Sequence, residues 1–354
     1  MLSLPTLLFS AFKRPLPLIT GKFSHLRPFD NYFVTSESSF SSEQLRHMSS
    51  HSPVQLLEMV KSVIPPLHYE MHKGQAGRLA IIGGCQEYTG APYFAAISAL
   101  KVGADLSHVF CSSDAATVIK SYSPELIVHP LLDRQNAIDE ISQWLPRFHS
   151  LVVGPGLGRD SHLLKTAAAV IQKALVQKLP LVIDADGLFL ITQDPSLVQG
   201  LSNVILTPNA AEFGRLYRKV FDREPDPTEP IISVKELCRK LGHVTIVHKG
   251  LHDIISDGEQ VLVCSEQGSP RRCGGQGDLL SGSMGVFAFW STVSHQKVEE
   301  GSLLKIYGPG ICAAYAACAL TRICSRRAFE VHGRSMTTTD LISQIQESFE
   351  YLFT

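Results

Sequence analysis

Residues 268–282 read GSPRRCGGQGDLLSG. Gly274, Gly275 and Gly277 surround Gln276, and Asp278 follows at once. Glycine admits backbone angles and close approaches that a Cβ forbids. The next stretch, DLLSGSMGVFAFW, is apolar enough for a buried helix. An Asp in the first turn of such a helix lies beside N–H groups that have no intrahelical partner, at the positive end of the dipole. The N–H groups of Gly275, Gln276 and Gly277 can form a concave nest for a phosphoryl group. Asp278 can take a proton from a hydroxyl that attacks that group. The plainer alternative is a structural loop closed by a capping Asp.

Other polar stretches offer weaker chemistry. HKGLHD (248–253) sets Lys249 and Gly250 after an apolar run. There a Lys can neutralise phosphate as a point charge, though a surface Lys is the commoner explanation. TPNAAEFGRL (207–216) spaces Asn209 and Glu212 three apart, one helical turn, so they either share a ligand site or form a capping box. DADGL (184–188) carries Asp184 and Asp186 on one face of an extended chain, suited to a divalent ion or to capping the next helix. GPGLG (154–158) is a tight connection or a place where backbone meets a ligand. It lacks the spacing of G-x-G-x-x-G, and no G-x-x-x-x-G-K-[ST] occurs, which excludes a P-loop.

The elements that must position these residues alternate. Strand-like runs at 78–84, 107–112, 125–130, 150–158, 180–188, 203–212 and 243–250 end in glycine or polar residues. Helical patterns at 91–104 and 161–178 fall between them, and further helices are expected at 277–291, 301–324 and about 338–350. HDIISDG and QVLVCSE read as a hairpin around Asp257-Gly258. The pattern predicts an α/β fold, a mainly parallel central sheet flanked by helices on both faces. Ligands in such folds bind beyond the carboxyl ends of the strands, where these motifs lie. No repeat or low-complexity linker divides 53–354, which reads as one domain.

Totals narrow the class. In 354 residues the apolar fraction is 44% and the charged fraction 18%, the balance of a globular chain. A net charge of −1 gives no global attraction for nucleic acid or anionic membrane. The apolar stretches near 285–290 and 311–320 look too short or too broken to span a bilayer and read as core helices. None of the eight cysteines forms C-x-x-C, so buried reduced thiols are expected, except at Cys273 inside the glycine loop. Residues 1–50 are rich in serine and carry Lys13, Arg14, Lys22, Arg27 and Arg46, with acids only at Asp30, Glu37 and Glu43. That composition predicts an organelle transit peptide, mitochondrial or plastid, or else a disordered tail of no address. A second start at Met48 would give a cytosolic form without it.

Taken in order, these motifs resemble the ribokinase-like superfamily, where a G-x-G-D element at a helix start supplies both anion hole and catalytic Asp. Within it, the chain looks like the ATP-dependent (S)-NAD(P)H-hydrate dehydratase family. YTGAPYFAAISALKVGADL, VVGPGLGRD, LVIDADGL, LTPNAAEFGRL, VHKGLHDIISDG and GSPRRCGGQGDLLSG carry the resemblance, over most of 75–285. Family members often have His after the Asn of TPN; here Ala210 stands, which points to a small difference in substrate contact. The epimerase domain fused in bacterial members is absent from this sequence.

The resemblance implies repair of hydrated NADH and NADPH with ATP and Mg2+, with Asp278 and the nest of Gly275, Gln276 and Gly277 as catalytic residues. It places Lys249, Gly250, Leu251, His252 and Asp253 at ATP, together with Gly268, Ser269, Pro270, Arg271, Arg272, Cys273, Gly274, Gly275, Gln276 and Gly277. It places Ala91, Gly156, Asn209, Ala210, Ala211, Glu212, Phe213, Gly214, Arg215 and Asp278 at the hydrated cofactor, with Glu212 near magnesium. It implies functional pairing with a separate epimerase and leaves a homo-oligomer open. The rival of the same fold is a kinase of a vitamin precursor or sugar; the rival of another class is a nucleotide sensor without catalysis.

Overall fold

The structure, a computed structural model, describes residues 51–354. The expected leader over 1–50, with Met48, lies outside the described residues. In chain order the elements begin α1 (Pro53–Lys61), β1 (Arg78–Ile82), α2 (Gly90–Val102), β2 (Leu106–Cys111), α3 (Ser113–Tyr122), β3 (Ile127–Pro130), α4 (Ala137–Trp144) and β4 (Ser150–Val153). They continue α5 (Ser161–Val176), β5 (Leu181–Ile183), α6 (Asp186–Gln193), β6 (Val204–Leu206), α7 (Ala210–Phe221), α8 (Pro230–Lys240) and β7 (Thr245–His248). The hairpin β8 (Asp253–Ser256) and β9 (Val261–Cys264) follows, then α9 (Gln276–His295), α10 (Leu303–His332), α11 (Thr338–Ser343) and α12 (Ile345–Phe353).

The nine strands form one sheet in the order β3-β2-β1-β4-β5-β6-β7-β8-β9. β1 to β7 pair in parallel, and β8 and β9 add an antiparallel edge. Alternate residues of each strand enter different cores. Leu79 and Ile81 of β1, with Val152 of β4, join the layer of α1–α3 and α9–α12. Ala80, Ile82, Leu151 and Val153 join the layer of α4–α8. Burial on both faces explains why these strands read as unbroken apolar runs. The order reverses between β1 and β4, so the loops after them part and leave a crevice at the carboxyl edge.

α9 lies in the core between α2, α10 and the sheet. Its approach to α2 needs glycine: a Cβ on Gly282 would fall 2.0 Å from the Ala95 carbonyl oxygen. The helix is further tied down where Ser150 Oγ donates to the Gly285 carbonyl at 2.7 Å. Leu279, Met284, Val286 and Phe287 are buried along it, each worth about 1.5–3 kcal/mol. This anchoring fixes the position of the helix start.

Three expectations are revised. The helix expected at 338–350 is two, broken at Gln344. α10 runs past Cys324 to His332, because Ala328 and Phe329 keep facing the core beyond the arginines. By length and composition residues 303–335 could therefore span a bilayer, although 67% of the most apolar window is buried against the protein. Gly308, at φ 76° and ψ 166°, interrupts this helix and Pro309 restarts it. All eight cysteines are free thiols, and only Cys273 is not buried.

Candidate active site

The start of α9 is held open. Gly275 stands at the N-cap with φ 94°, and no side chain caps the helix. A residue with a Cβ there would be strained and would meet Phe94 and Thr338 Oγ1, both at 2.8 Å. Neighbours fix the loop without using its N–H groups. Thr338 Oγ1 donates to the Gly274 carbonyl at 2.6 Å, and Gln276 Nε2 donates to the Arg271 carbonyl at 3.2 Å. By helix geometry the first-turn N–H groups of Gln276, Gly277 and Asp278 have no intrahelical partner.

Asp278 sits half-buried in that turn, and its carboxylate makes no hydrogen bond among the described residues. Burial, reinforced by the charge of Asp184, raises its pKa well above the ordinary carboxylate value, against the pull of Lys249. Asp184 leaves β5 with 2% of its surface exposed. Lys249 Nζ, at the end of β7, donates to Asp184 Oδ1 at 2.8 Å. Burial lowers the Lys249 pKa, but the charges of Asp184, Glu212 and Asp278 outweigh it, so the ammonium stays charged. The helix tip rests on this pair: a Cβ at Gly277 would lie 3.5 Å from Asp184 Oδ2 and 3.6 Å from Lys249 Nζ.

Two clefts meet at the tip. One, about 770 Å³, opens at the crevice between β1 and β4 and is lined by Ala91, Gly156 and Asp278, with Tyr88, Arg159 and Asp186. The other, about 650 Å³, is lined by Lys249, Gly250, Asp253, Arg272, Cys273, Gln276 and Gly277, and by Asn209, Ala210 and Ala211. A third pocket of about 120 Å³ takes Glu212 and Arg215.

The residues expected at one ligand are thus divided. Asn209 to Arg215 do not present a single face: Phe213 is 2% exposed and stacks on His248 at 4.4 Å between centroids. Gly214 has nothing within 4 Å of a built Cβ. Asn209 Oδ1 accepts from the N–H groups of Ala211 and Glu212 at 3.0 Å each, and Glu212 Oε2 accepts from Asn209 N–H at 2.8 Å. That is the capping box. Burial still raises the Glu212 pKa, opposed by Lys249.

Leu251 and His252 do not line the second cleft, and Leu251 is exposed. Gly268, Ser269, Pro270, Arg271 and Gly274 do not line it either; Pro270 and Gly274 are exposed, and the buried Ser269 places its Oγ 2.7 Å from Ser325 Oγ. The Asp184–Asp186 pairing is corrected. Ala185, at φ 48° and ψ −120°, breaks the extended chain. Asp186 then turns to accept from Gly158 N–H at 2.9 Å, away from Lys249. No cluster of three or more His, Cys, Asp or Glu among the described residues is placed to hold a metal ion.

Sequence reasoning missed Arg322. Its Nε donates to Asp253 Oδ2 at 2.7 Å, and its other nitrogens donate to the Gly250 and Leu251 carbonyls at 3.0 and 2.9 Å. Asp253 Oδ1 in turn accepts from Gly250 N–H at 3.1 Å, so Arg322 clamps the loop after β7. A lone Arg inside the apolar run CALTRIC was the available signal, since a buried charge needs a partner.

The profile of the NAD(P)H-hydrate dehydratase family matches residues 79–347. An ATP-dependent (S)-NAD(P)H-hydrate dehydratase from Danio rerio is 53% identical over 320 residues, covering 90% of this chain and 94% of that protein. The Homo sapiens protein of the same name is 55% identical over 297 residues, covering 84% of each chain. A ribokinase-like superfamily protein from Enterococcus faecalis superposes with a TM-score of 0.65 at 20% identity, covering 84% of this chain and 95% of the other; the fold is ribokinase-like.

Proposed function

The chain belongs to the NAD(P)H-hydrate dehydratase family, and from that premise we propose how its residues divide the reaction. The enzyme uses ATP to dehydrate the S form of hydrated NADH and NADPH, restoring the reduced cofactor. Hydroxide is a poor leaving group and phosphate a good one, which is why a nucleotide is consumed.

One observation carries the assignment of roles: Asp278 lines one cleft while Gln276 and Gly277, its helical neighbours, line the other. The hydrated ring belongs in the first cleft with its hydroxyl at Asp278, and the triphosphate in the second, against Lys249. Asp278 takes the hydroxyl proton as the oxygen bonds to the γ-phosphorus and the bond to ADP breaks. The open N–H groups at the helix start and the Lys249 ammonium hold the charge that collects on the transferring phosphoryl, where positioning and neutralisation supply most of the rate. The new phosphate ester then leaves as phosphate, the adjacent ring carbon gives up a proton, and the double bond returns. The raised pKa makes Asp278 a stronger base than an ordinary carboxylate.

Magnesium, when bound with ATP, would neutralise phosphate oxygens. The site fits that limited role: with no protein cage among the described residues, the ion would be held chiefly by water and phosphate, and we assign Glu212 as the carboxylate that would steady that water. Glu212 Oε1 is left for a water, since the capping bond uses Oε2.

We further propose that residues 1–50 address the protein to a mitochondrion or plastid, and that a separate epimerase supplies the S form. Incubation with hydrated NADH, ATP and magnesium tests the chemistry. Recovery of reduced-nicotinamide absorbance with one phosphate released per turnover is expected. A phosphorylated product with no recovered absorbance would overturn it.

A further inference from the structure

We propose that Arg159 holds the diphosphate bridge of the hydrated dinucleotide, in a pocket it shares with Arg215 beside the first cleft. This rests on the dehydratase reading above and names the part of the substrate that reading leaves unplaced.

Charge carries the argument first. Arg159 is the one cation among the residues lining the first cleft, against Glu87, Asp160, Asp186 and Asp278. Three of these carboxylates are fixed in place by hydrogen bonds within the protein, which orient them without cancelling their charge. Asp160 caps α5, accepting from the N–H groups of His162 and Leu163 at 2.8 and 3.1 Å. Glu87 accepts from the Cys85 thiol at 3.3 Å, and Asp186 accepts from Gly158. A diphosphate entering this cleft therefore needs a cation, and Arg159 is where the lining offers one.

Preorganisation is the second strand. The Arg159 guanidinium lies 4.5 Å over the Phe189 ring, and its Nε sits 3.5 Å from Asp186 Oδ1. One face and one edge of the fork are thus fixed, while 64% of the side chain stays open to solvent. The terminal nitrogens remain to donate in parallel to phosphate oxygens, the pairing to which a planar guanidinium is suited.

Continuity is the third. Arg159, Ala185 and Asp186 line both the first cleft and the pocket of about 120 Å³ that holds Arg215 and Glu212. A ligand whose ring lies at Asp278 can pass Arg159 and reach a second guanidinium without leaving the groove.

The test compares two substrates in the full-length wild type and in Arg159→Ala and Arg159→Lys: hydrated NADH, and hydrated dihydronicotinamide riboside, which carries no phosphate. In Arg159→Ala the ratio of kcat/KM for dinucleotide over riboside should fall about 10- to 100-fold, the worth of one charge-assisted contact, chiefly through KM. Arg159→Lys should fall between, because an ammonium keeps the charge and loses the fork. KM for ATP should hold. An unchanged ratio, whether from equal losses or from none, would overturn the proposal, since a merely structural role lowers both substrates together. If the riboside turns over too slowly to read, ionic strength decides. KM for hydrated NADH should rise with salt more steeply in the wild type than in Arg159→Ala; parallel slopes would overturn the proposal. Wild-type failure to dehydrate hydrated NADH would instead strike the dehydratase reading.

Discussion

Two helices begin at the second cleft and meet their ends in opposite ways. α7 closes its own start: Asn209 and Glu212 satisfy its orphan N–H groups through a reciprocal capping box. α9 does not: Gly275 caps it with backbone alone, and the carboxylate in its first turn turns to a cleft instead of back to the helix. A helix start that satisfies itself contributes stability and has little left for a ligand. One left open costs stability and keeps its donors for charge that arrives with substrate. N-x-x-E and G-x-G-D look alike as local acidic motifs, yet the first closes its helix start with side chains and the second leaves its helix start uncapped.

That contrast breaks most visibly at Asp278. Asp278→Asn should lower kcat about 10²–10⁴-fold, the usual worth of a general base. Stability should move the other way. A carboxyl whose folded pKa is raised adds stability that is complete below the ordinary carboxylate range and is lost as pH rises through the raised value. Above the ordinary carboxylate range the wild type gives up this contribution, so Asp278→Asn should melt no lower than wild type there. The difference should close as the pH is brought down to the ordinary carboxylate range; thermal unfolding across pH checks this.

Next in size comes the pair beneath the tip. Lys249→Met leaves Asp184 buried without its cation, which should cost about 3 kcal/mol in a denaturant melt and raise KM for ATP. At α7 the effects should be smaller and structural. Asn209→Ala removes the cap and should cost about 1 kcal/mol. Glu212→Gln should cost almost nothing in stability, because Gln can keep the bond to Asn209 N–H. A rise in the magnesium concentration needed for half-maximal turnover in this variant would locate the ion's carboxylate. A silent Glu212→Gln would reduce α7 to a capped helix and nothing more.

Much of this was legible because it is local. Apolar runs ending in glycine gave the parallel strands, and Asp257-Gly258 gave the hairpin, since turn chemistry and pleat periodicity act over a few residues. GGQGD was legible because it breaks local rules at a helix start. What escaped depends on distant partners. Nothing near Asp184 in the chain announces Lys249, which lies 65 residues on. Arg322 clamps Asp253 across 69 residues. The sheet order β1-β4 opens the crevice that holds the first cleft, and no single stretch encodes that order. The family resemblance groups residues 209–215 at one ligand, a grouping by chain position; once wound, the helix sends Phe213 inward and Arg215 to another pocket.

The central claim, that an uncapped helix tip lends its carboxylate to the substrate hydroxyl, is tested most directly by single-turnover dehydration followed against pH with saturating ATP and magnesium. The account expects the wild-type rate to fall on the acid side with a midpoint above the ordinary carboxylate range, and expects that limb to vanish in Asp278→Asn along with most of the rate. An acid limb that survives unchanged in Asp278→Asn, or a variant rate within about tenfold of wild type, a barrier change below about 1.4 kcal/mol, would contradict it.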